Sequence, residues 1–331
     1  MNLNVRYNNQ HINVSLGSIS QWCGYNIKTK EFIITSLEKH FSSYKYQEYE
    51  DTLINNVSID GEHIGRKYCR LIRIKDKESL LQSIKNSKIG ILSSLIRNKI
   101  SSFNFQKELE IIDNSLLRIY GLINTEVMEF LGKIELDYDR EDILSIVSNS
   151  EYVTRDGQVV DALNYDELLV IFLNTLRELQ NKDPEKYIII FENIDHYIEA
   201  ECYKSIVKKS EEIAGISDTY FIFSTSIRGY ALVDEEKCEY ITVFNDLVYS
   251  MPDYAHLYEF VNSNYPCSKH WGDEVLKEII AECVHDVGKI GNIGSIDGFV
   301  VRKMINSTLS INNVMKNVGN SIELKYLATN I

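Results

Sequence analysis

The chain's 331 residues suit about two domains, and 44% hydrophobic with 25% charged residues is the balance of a folding globular protein, which excludes disordered and low-complexity classes. Its longest apolar runs, 168–173 and 187–191, fall far short of the ~20 residues of a spanning helix, and the opening MNLNVRYNNQ lacks the basic start and apolar run of an export signal. A cytoplasmic protein without a membrane partner is expected, and a net charge of -13 argues, for the molecule as a whole, against a polyanionic partner.

Residues 3–7 (LNVRY) and 11–15 (HINVS) alternate around Asn8-Asn9-Gln10 and predict an antiparallel hairpin, with a short strand at 18–22 behind it. The segment from Gly24 to Glu31 then leads into a helix on which Ile33 or Ile34, Leu37 and Phe41 recur at helical spacing. Between His63 and Lys107 stand eleven basic residues (Arg66, Lys67, Arg70, Arg73, Lys75, Lys77, Lys85, Lys88, Arg97, Lys99, Lys107) against only Asp76 and Glu78, a local charge of +9 that leaves -22 elsewhere. Exposed charges farther apart than about 8 Å are screened at physiological salt, so such a stretch can attract a polyanion that the total charge would repel. A solvated surface has the same composition, and the residues alone leave both readings open. Within the stretch, 66–74 alternates weakly like a strand and 79–100 reads as a helix interrupted near Gly90.

Leu109, Ile112, Leu116, Ile119 and Ile123 step by three and four, the seam of a long helix. Packing within the chain is expected for it, with a subunit interface as the alternative. The acidic segment KIELDYDREDIL follows, carrying Glu135, Asp137, Asp139, Glu141 and Asp142. If it is extended, residues 135, 137 and 139 share one face, where three carboxylates repel one another unless a cation sits among them. An all-oxygen donor set favours calcium over zinc, although the glycine and closing glutamate of an EF-hand are missing. A solvated acidic loop stays open as the other reading.

Asn164 with Glu167 predicts a capping box, and the helix it starts (Leu169, Phe172, Leu173, Leu176, Leu179) stops before Asp183-Pro184. A buried strand at 187–191, a helix marked by Ile206, Val207 and Ile213 that closes at Gly215, and a strand at 219–223 make a right-handed parallel crossover. Short strands near 239–244 and 247–250 finish the sheet; beyond Pro252 the chain reads as a helical appendix. The fold class is therefore α/β. Six cysteines without any C-x-x-C pair suit neither a disulfide framework nor structural zinc, and are expected to be reduced.

The residues from Gly24 to Glu31 have the length and position of a phosphate loop, G-x-x-x-x-G-K-[ST]. Gly24 and Lys30 match. Thr29 replaces the second glycine, and Glu31 replaces the hydroxyl that would hold magnesium, putting a carboxylate where phosphate should sit. Further on, YIIIFE ends at Glu192 and FIFSTS ends at Ser226, the chain order of nucleotidases of the ABC class. There the first strand carries an aspartate and a catalytic glutamate, and the second leads into a switch histidine. Here Asn193 cannot act as a general base, Ser226 cannot replace an imidazole, and no LSGGQ-like signature is present. This is a phosphohydrolase frame without its chemistry. Asp195-His196 lacks a nucleophile, His285-Asp286 lacks a histidine cluster, and the glycines of 288–298 follow no strand and read as a polar loop.

Together, the hairpin with Leu16-Gly17, the helix at 30–42, the segment Glu135-Leu136-Asp137-Tyr138-Asp139, the turn Phe191-Glu192-Asn193 and the closing strands resemble the Csn-two family of type II-A CRISPR adaptation proteins in its longer subtype, over about residues 1–250. The resemblance implies a degenerate P-loop NTPase-like (ABC-ATPase-like) mixed-sheet head and a helical leg; on the chain-order reading the head is formed from 1–100 and 181–250 and the leg region is 101–180, with the helical extension at 251–331 beyond the resemblance. It implies a non-catalytic, ring-shaped homotetramer that binds calcium and threads linear double-stranded DNA ends through a basic hole during spacer acquisition, alongside the integrase proteins and the effector nuclease. Calcium would fall to Glu135, Asp137 and Asp139, with Glu141 or Asp142 as further candidates. The resemblance carries over no DNA-contacting lysine. The DNA-facing candidates come from the charge count: Arg66, Lys67, Arg70, Arg73, Lys85, Lys88, Arg97 and Lys99, joined by Lys204, Lys208 and Lys209 on one helix. Contacts of this kind, made to phosphates, report no base sequence. The rivals are an active nucleotidase, with Lys30 on phosphates and Glu192 supporting magnesium, and a protein scaffold using the 109–123 seam and the final helices.

Overall fold

The alternating opening folds as its pattern dictates: β1 (Asn2–Tyr7) and β2 (Gln10–Ser15) pair antiparallel, with Leu3 opposite Val14 and Val5 opposite Ile12. On its other edge β1 takes β4 (Val57–Ile59), which turns through Asp60 and Gly61 into β5 (Glu62–His63), giving a four-stranded sheet in the order β2-β1-β4-β5. Asp60 and Gly61 both have positive φ (51° and 83°), the backbone of a two-residue hairpin turn, so the Asp-Gly pair was a legible signal that the sequence reading passed over. The structure is a computed structural model that describes residues 1–7, 10–85, 90–131, 137, 150–289, 295–311 and 321–329.

The main sheet is mixed. β3 (Ile19–Cys23), β6 (Arg70–Ile74), β7 (Tyr187–Phe191), β8 (Thr219–Ser224) and β9 (Ile241–Phe244) run parallel, and β10 (Val248–Ser250) closes one edge antiparallel, in the order β10-β9-β3-β8-β7-β6. Every residue of β3, β7 and β9 is buried, the expected state of strands covered on both faces. On one face, α1 (Ile27–His40) lays Ile33, Ile34 and Leu37 into a core shared with Leu3 and Val5 of the small sheet and Ile188 and Ile222 of the large one.

The chain divides into two compact units: Met1–Asp76 with Pro184–Ile331, and Lys77–Asp183. The second unit therefore begins at 77 rather than at 101. Helices α2 (Lys77–Lys85) and α3 (Ile91–Ile100), separated at the expected Gly90, pack with α5 (Tyr165–Lys182), because their buried Leu80, Ile84, Ile91 and Leu95 need the apolar face of Leu169, Phe172 and Leu176. The capping box at Asn164 is complete, with both hydrogen bonds to Glu167 at 2.9 Å. The long helix α4 (Gln106–Leu131) departs from expectation: Ile112, Ile119 and Ile123 of the predicted seam are exposed, as are Ile111, Leu117 and Leu122.

Nor is the stretch after Pro252 an appendix. Helices α6 (Ala200–Ala214), α7 (Tyr254–Asn264), α8 (Asp273–Cys283), α9 (Ile296–Thr308) and α10 (Ile322–Leu327) complete the described chain. The last four share one core with the sheet: Leu257, Val261, Ile280, Val284, Val300 and Met304 close on Cys23, Ile241 and Val243. None of the six cysteines is in a disulfide, and among the described residues no helix is long and apolar enough to cross a membrane.

Candidate functional site

Gly24, Lys30, Glu192 and Ser226, singled out in the sequence, gather at the C-terminal ends of β3, β7 and β8. β3 leaves the sheet through Gly24 at φ +98°, where a Cβ would lie 2.3 Å from the carbonyl oxygen of Phe244, so only glycine makes the turn. A phosphate loop works by pointing free backbone N–H groups at its anion. Here those groups are taken. Gly24 N–H donates to His285 Nδ1 (3.1 Å), Tyr25 N–H to Asn245 Oδ1 (2.9 Å), Asn26 N–H to Phe244 O (2.9 Å) and Ile27 N–H to Tyr25 O (2.8 Å).

Lys30 is 2% exposed, and its Nζ turns back to donate to the carbonyl oxygens of Gly24 (2.8 Å) and Thr225. Burial lowers its pKa to about 8, with Cys23, Asp195 and Glu192 opposing the shift, so it stays charged at neutral pH but spends its charge on carbonyl dipoles. Glu31 points outward on the exposed side of α1.

Glu192, just past β7, is equally committed. Arg73 of β6 grips both carboxylate oxygens (Nε–Oε2 2.8 Å, Nη2–Oε1 3.1 Å) and uses Nη1 to reach Glu38 (2.6 Å) and Thr35 (3.3 Å). Burial lowers the Arg73 pKa, but the bonds to Glu192 and Glu38 outweigh it and leave the guanidinium more strongly protonated than usual. Asn193 takes the left-handed turn (φ 52°) that asparagine tolerates. Asp195, fully buried, accepts the backbone N–H groups of Ser226, Ile227, Arg228 and Gly229 at 2.7–3.2 Å, and His196 Nε2 meets Ser226 Oγ at 2.8 Å. Sequence reasoning singled out Asp195-His196 only as a failed dyad. The acid in fact anchors the loop that ends β8. His285 was likewise singled out only as part of a dipeptide without a histidine cluster, and Asn245 was missed altogether, because their partners lie 261 and 220 residues away in the chain.

The basic candidates are divided between the two units. Arg66, Lys67, Arg70 and Arg73 belong to the first unit, and Lys85, Arg97 and Lys99 to the second. Arg73, its side chain 6% exposed, must be withdrawn from the DNA-facing set, since a guanidinium held by two carboxylates inside the protein offers nothing to a phosphate. Arg70 lies against Tyr187 and Glu185, and Lys85 pairs with Asp161 at 2.6 Å. Arg66 is exposed and donates to Tyr44 O, while Lys67, Arg97 and Lys99 are exposed. On α6, Lys204 pairs with Glu201 at 3.0 Å, Lys208 is exposed and Lys209 half-buried. Lys88 lies outside the described residues.

Of the calcium candidates, Glu135, Asp139, Glu141 and Asp142 lie outside the described residues, and Asp137 is exposed. As a donor set, five carboxylates fit a hard cation such as calcium. Among the described residues no three His, Cys, Asp or Glu side chains gather as a metal cluster.

Comparison with solved structures finds the fold of the crystal structure of Stu0660 of Streptococcus thermophilus, with a TM-score of 0.86, 19% identity and 99% of each chain covered. The comparison with curated proteins gave no match. The family model for the CRISPR-associated protein Csn2, subfamily St, matches residues 5–286, a span that includes most of the hairpin, the strand-end loop, Glu192, Asp195 and His285. With that match spanning most of its length, the chain belongs to the Csn2 family of CRISPR-associated proteins, subfamily St, and has its place in CRISPR adaptation.

Proposed function

We propose that this Csn2 protein serves spacer acquisition by holding the ends of linear double-stranded DNA without chemistry and without reading sequence, as a calcium-dependent, ring-shaped homotetramer working beside the integrase proteins and the effector nuclease. The observation that carries the non-catalytic part is the state of the strand-end site: each group that would act on a nucleotide is spent on another group of the protein. Gly24, Tyr25 and Asn26 amides bond to His285, Asn245 and Phe244, Lys30 bonds to two carbonyls, and Glu192 bonds to Arg73. The parallel order β9-β3-β8-β7, with the loop leaving the central β3, supports a head derived from a P-loop frame whose binding function was lost.

The remaining basic candidates supply the DNA contacts in this reading. Arg66, Lys67, Arg97, Lys99 and Lys208 are exposed, Lys204 and Lys209 partly so, and Arg70 and Lys85 lie beside acidic partners that a phosphate would have to displace; phosphate neutralisation needs charge alone. The exposed apolar side chains of α4 support self-association, since an exposed row of isoleucines and leucines is stabilised by removal from water. Calcium, held by Asp137 and its acidic neighbours, would cancel part of the acidic segment's repulsion toward DNA.

Fluorescence anisotropy of a short linear duplex, titrated with protein in calcium and then in EDTA, tests the reading. Binding that requires calcium, weakens steeply with salt and is poorly competed by closed circular DNA is expected. No binding to any duplex in calcium defeats it. Nucleotide hydrolysis abolished by Lys30→Ala would establish the rival nucleotidase instead.

A further inference from the structure

The segment that follows α8 does more than pack. His285 reaches the strand-end loop, and its Nδ1 accepts the Gly24 N–H at 3.1 Å. Gly229, at φ +64°, leaves room for the ring, because a Cβ there would lie 2.4 Å from it. Asn245, fully buried, bridges the two segments: its Oδ1 accepts the Tyr25 N–H, while its Nδ2 donates to the carbonyl oxygens of His285 (3.2 Å) and Val287. Lys289 lies over the Tyr25 ring at 4.8 Å and pairs with Asp286 at 2.9 Å. Val284, just before the segment, and Val287 within it are fully buried and pin it in the core. A charge-neutral imidazole acceptor thus stands where the first amide of a phosphate loop would meet its anion.

We infer that residues 285–289 are a built-in clasp that takes the place of a phosphate on the Gly24 loop, so that the C-terminal helices hold shut the strand-end site. The inference rests on the reading of residues 24–31 as a degenerate phosphate loop, and it assigns a task to a part of the chain that lies beyond the sheet. The clasp uses only contacts inside the first unit. It predicts that loop and segment open together, and that once open the freed amides and Lys30 accept an inorganic polyphosphate.

Amide hydrogen exchange on the intact protein, read by mass spectrometry over residues 22–30 and 284–289 with and without millimolar tripolyphosphate, is the test. In the wild type, exchange over 22–30 is slow and indifferent to tripolyphosphate. His285→Ala raises it about tenfold, the loss expected for one buried hydrogen bond, and tripolyphosphate slows it again. His285→Asn, which keeps an acceptor near the Nδ1 position, restores wild-type exchange. Should His285→Ala fail to fold, Asn245→Ala is the second variant, and it raises exchange in both segments together. Unchanged exchange in the variants, or segments that open independently, overturns the clasp and leaves the phosphate-loop reading standing. A loop that opens yet ignores tripolyphosphate overturns the substitution for phosphate, and with it that reading.

Discussion

The strand-end site of the first unit and the helix α4 of the second are opposite in how they use their side chains. At the strand ends, charged and polar groups are drawn inward and matched: Arg73 to Glu192 and Glu38, Lys30 to two carbonyls, Asp195 to four amides and His285 to Gly24. On α4, apolar groups are turned outward, with Leu117 54% and Leu122 58% exposed. In the first region the named charged groups are matched within the chain. The second is unfinished, and its free energy falls when something apolar covers it. The contrast supports the proposed reading, in which this Csn2 protein acts through its surfaces and associations.

The largest effect expected from breaking the closed region is that of Arg73→Ala. Removing the cation leaves Glu192 buried without its partner, which costs about 3–5 kcal/mol, read as a lowered denaturation midpoint with an unchanged slope. A surface arginine would cost almost nothing, so a loss under about 1 kcal/mol would mean that the ion pair is not closed in solution.

Acid titration probes the same region next. Burial chiefly, with Lys289 and Lys30 adding to it and Asp286 and Asp195 opposing it, holds the His285 pKa down at about 4 against 6.5 for an unconstrained histidine. The unfolded chain therefore takes up the proton first. The contribution is complete above pH 6.5 and is lost as the pH falls toward 4, by at most about 3 kcal/mol. His285→Asn should flatten the stability profile in that window; an unaltered profile would show that the ring is open to water.

Smaller effects test the second unit. Asn164→Ala removes the capping box of α5 and should cost about 1 kcal/mol by chemical denaturation, since that helix is held within its own unit. Leu117→Glu with Leu122→Glu should change the stability of the isolated chain by no more than about 0.5 kcal/mol, because neither side chain is buried, yet should lower the assembly state in sedimentation. A large loss of stability without a change in assembly would make α4 a core element and remove the contrast.

Local pattern carried much of the fold. The alternation of Leu3, Val5, Ile12 and Val14, the Asn164–Glu167 box, the interruption at Gly90 and the apolar runs of β7 and β8 each state a backbone preference within a few residues. The Asp60-Gly61 turn was equally legible. The periodicity of 109–123 correctly announced a helix, but periodicity says only that one face is apolar, not whether the chain itself covers it. The net charge of 63–107 likewise said nothing about direction: Arg73 and Lys67 lie in the same basic run, yet one is buried against carboxylates and the other exposed.

By itself, then, the sequence determined the elements, the family and the mismatch of 24–31 with a phosphate-loop motif, because Thr29, Glu31, Asn193 and Ser226 are the wrong chemistry whatever surrounds them. Which groups meet the strand-end loop was decided by tertiary structure alone. His285 meets Gly24 across 261 residues, Asn245 meets Tyr25 across 220, and Asp195 meets the 226–229 amides across about thirty. Such pairings leave no periodicity or spacing in the chain, since they depend on which strand ends the sheet order brings side by side. A buried amide or carboxylate must find a partner wherever the fold supplies one.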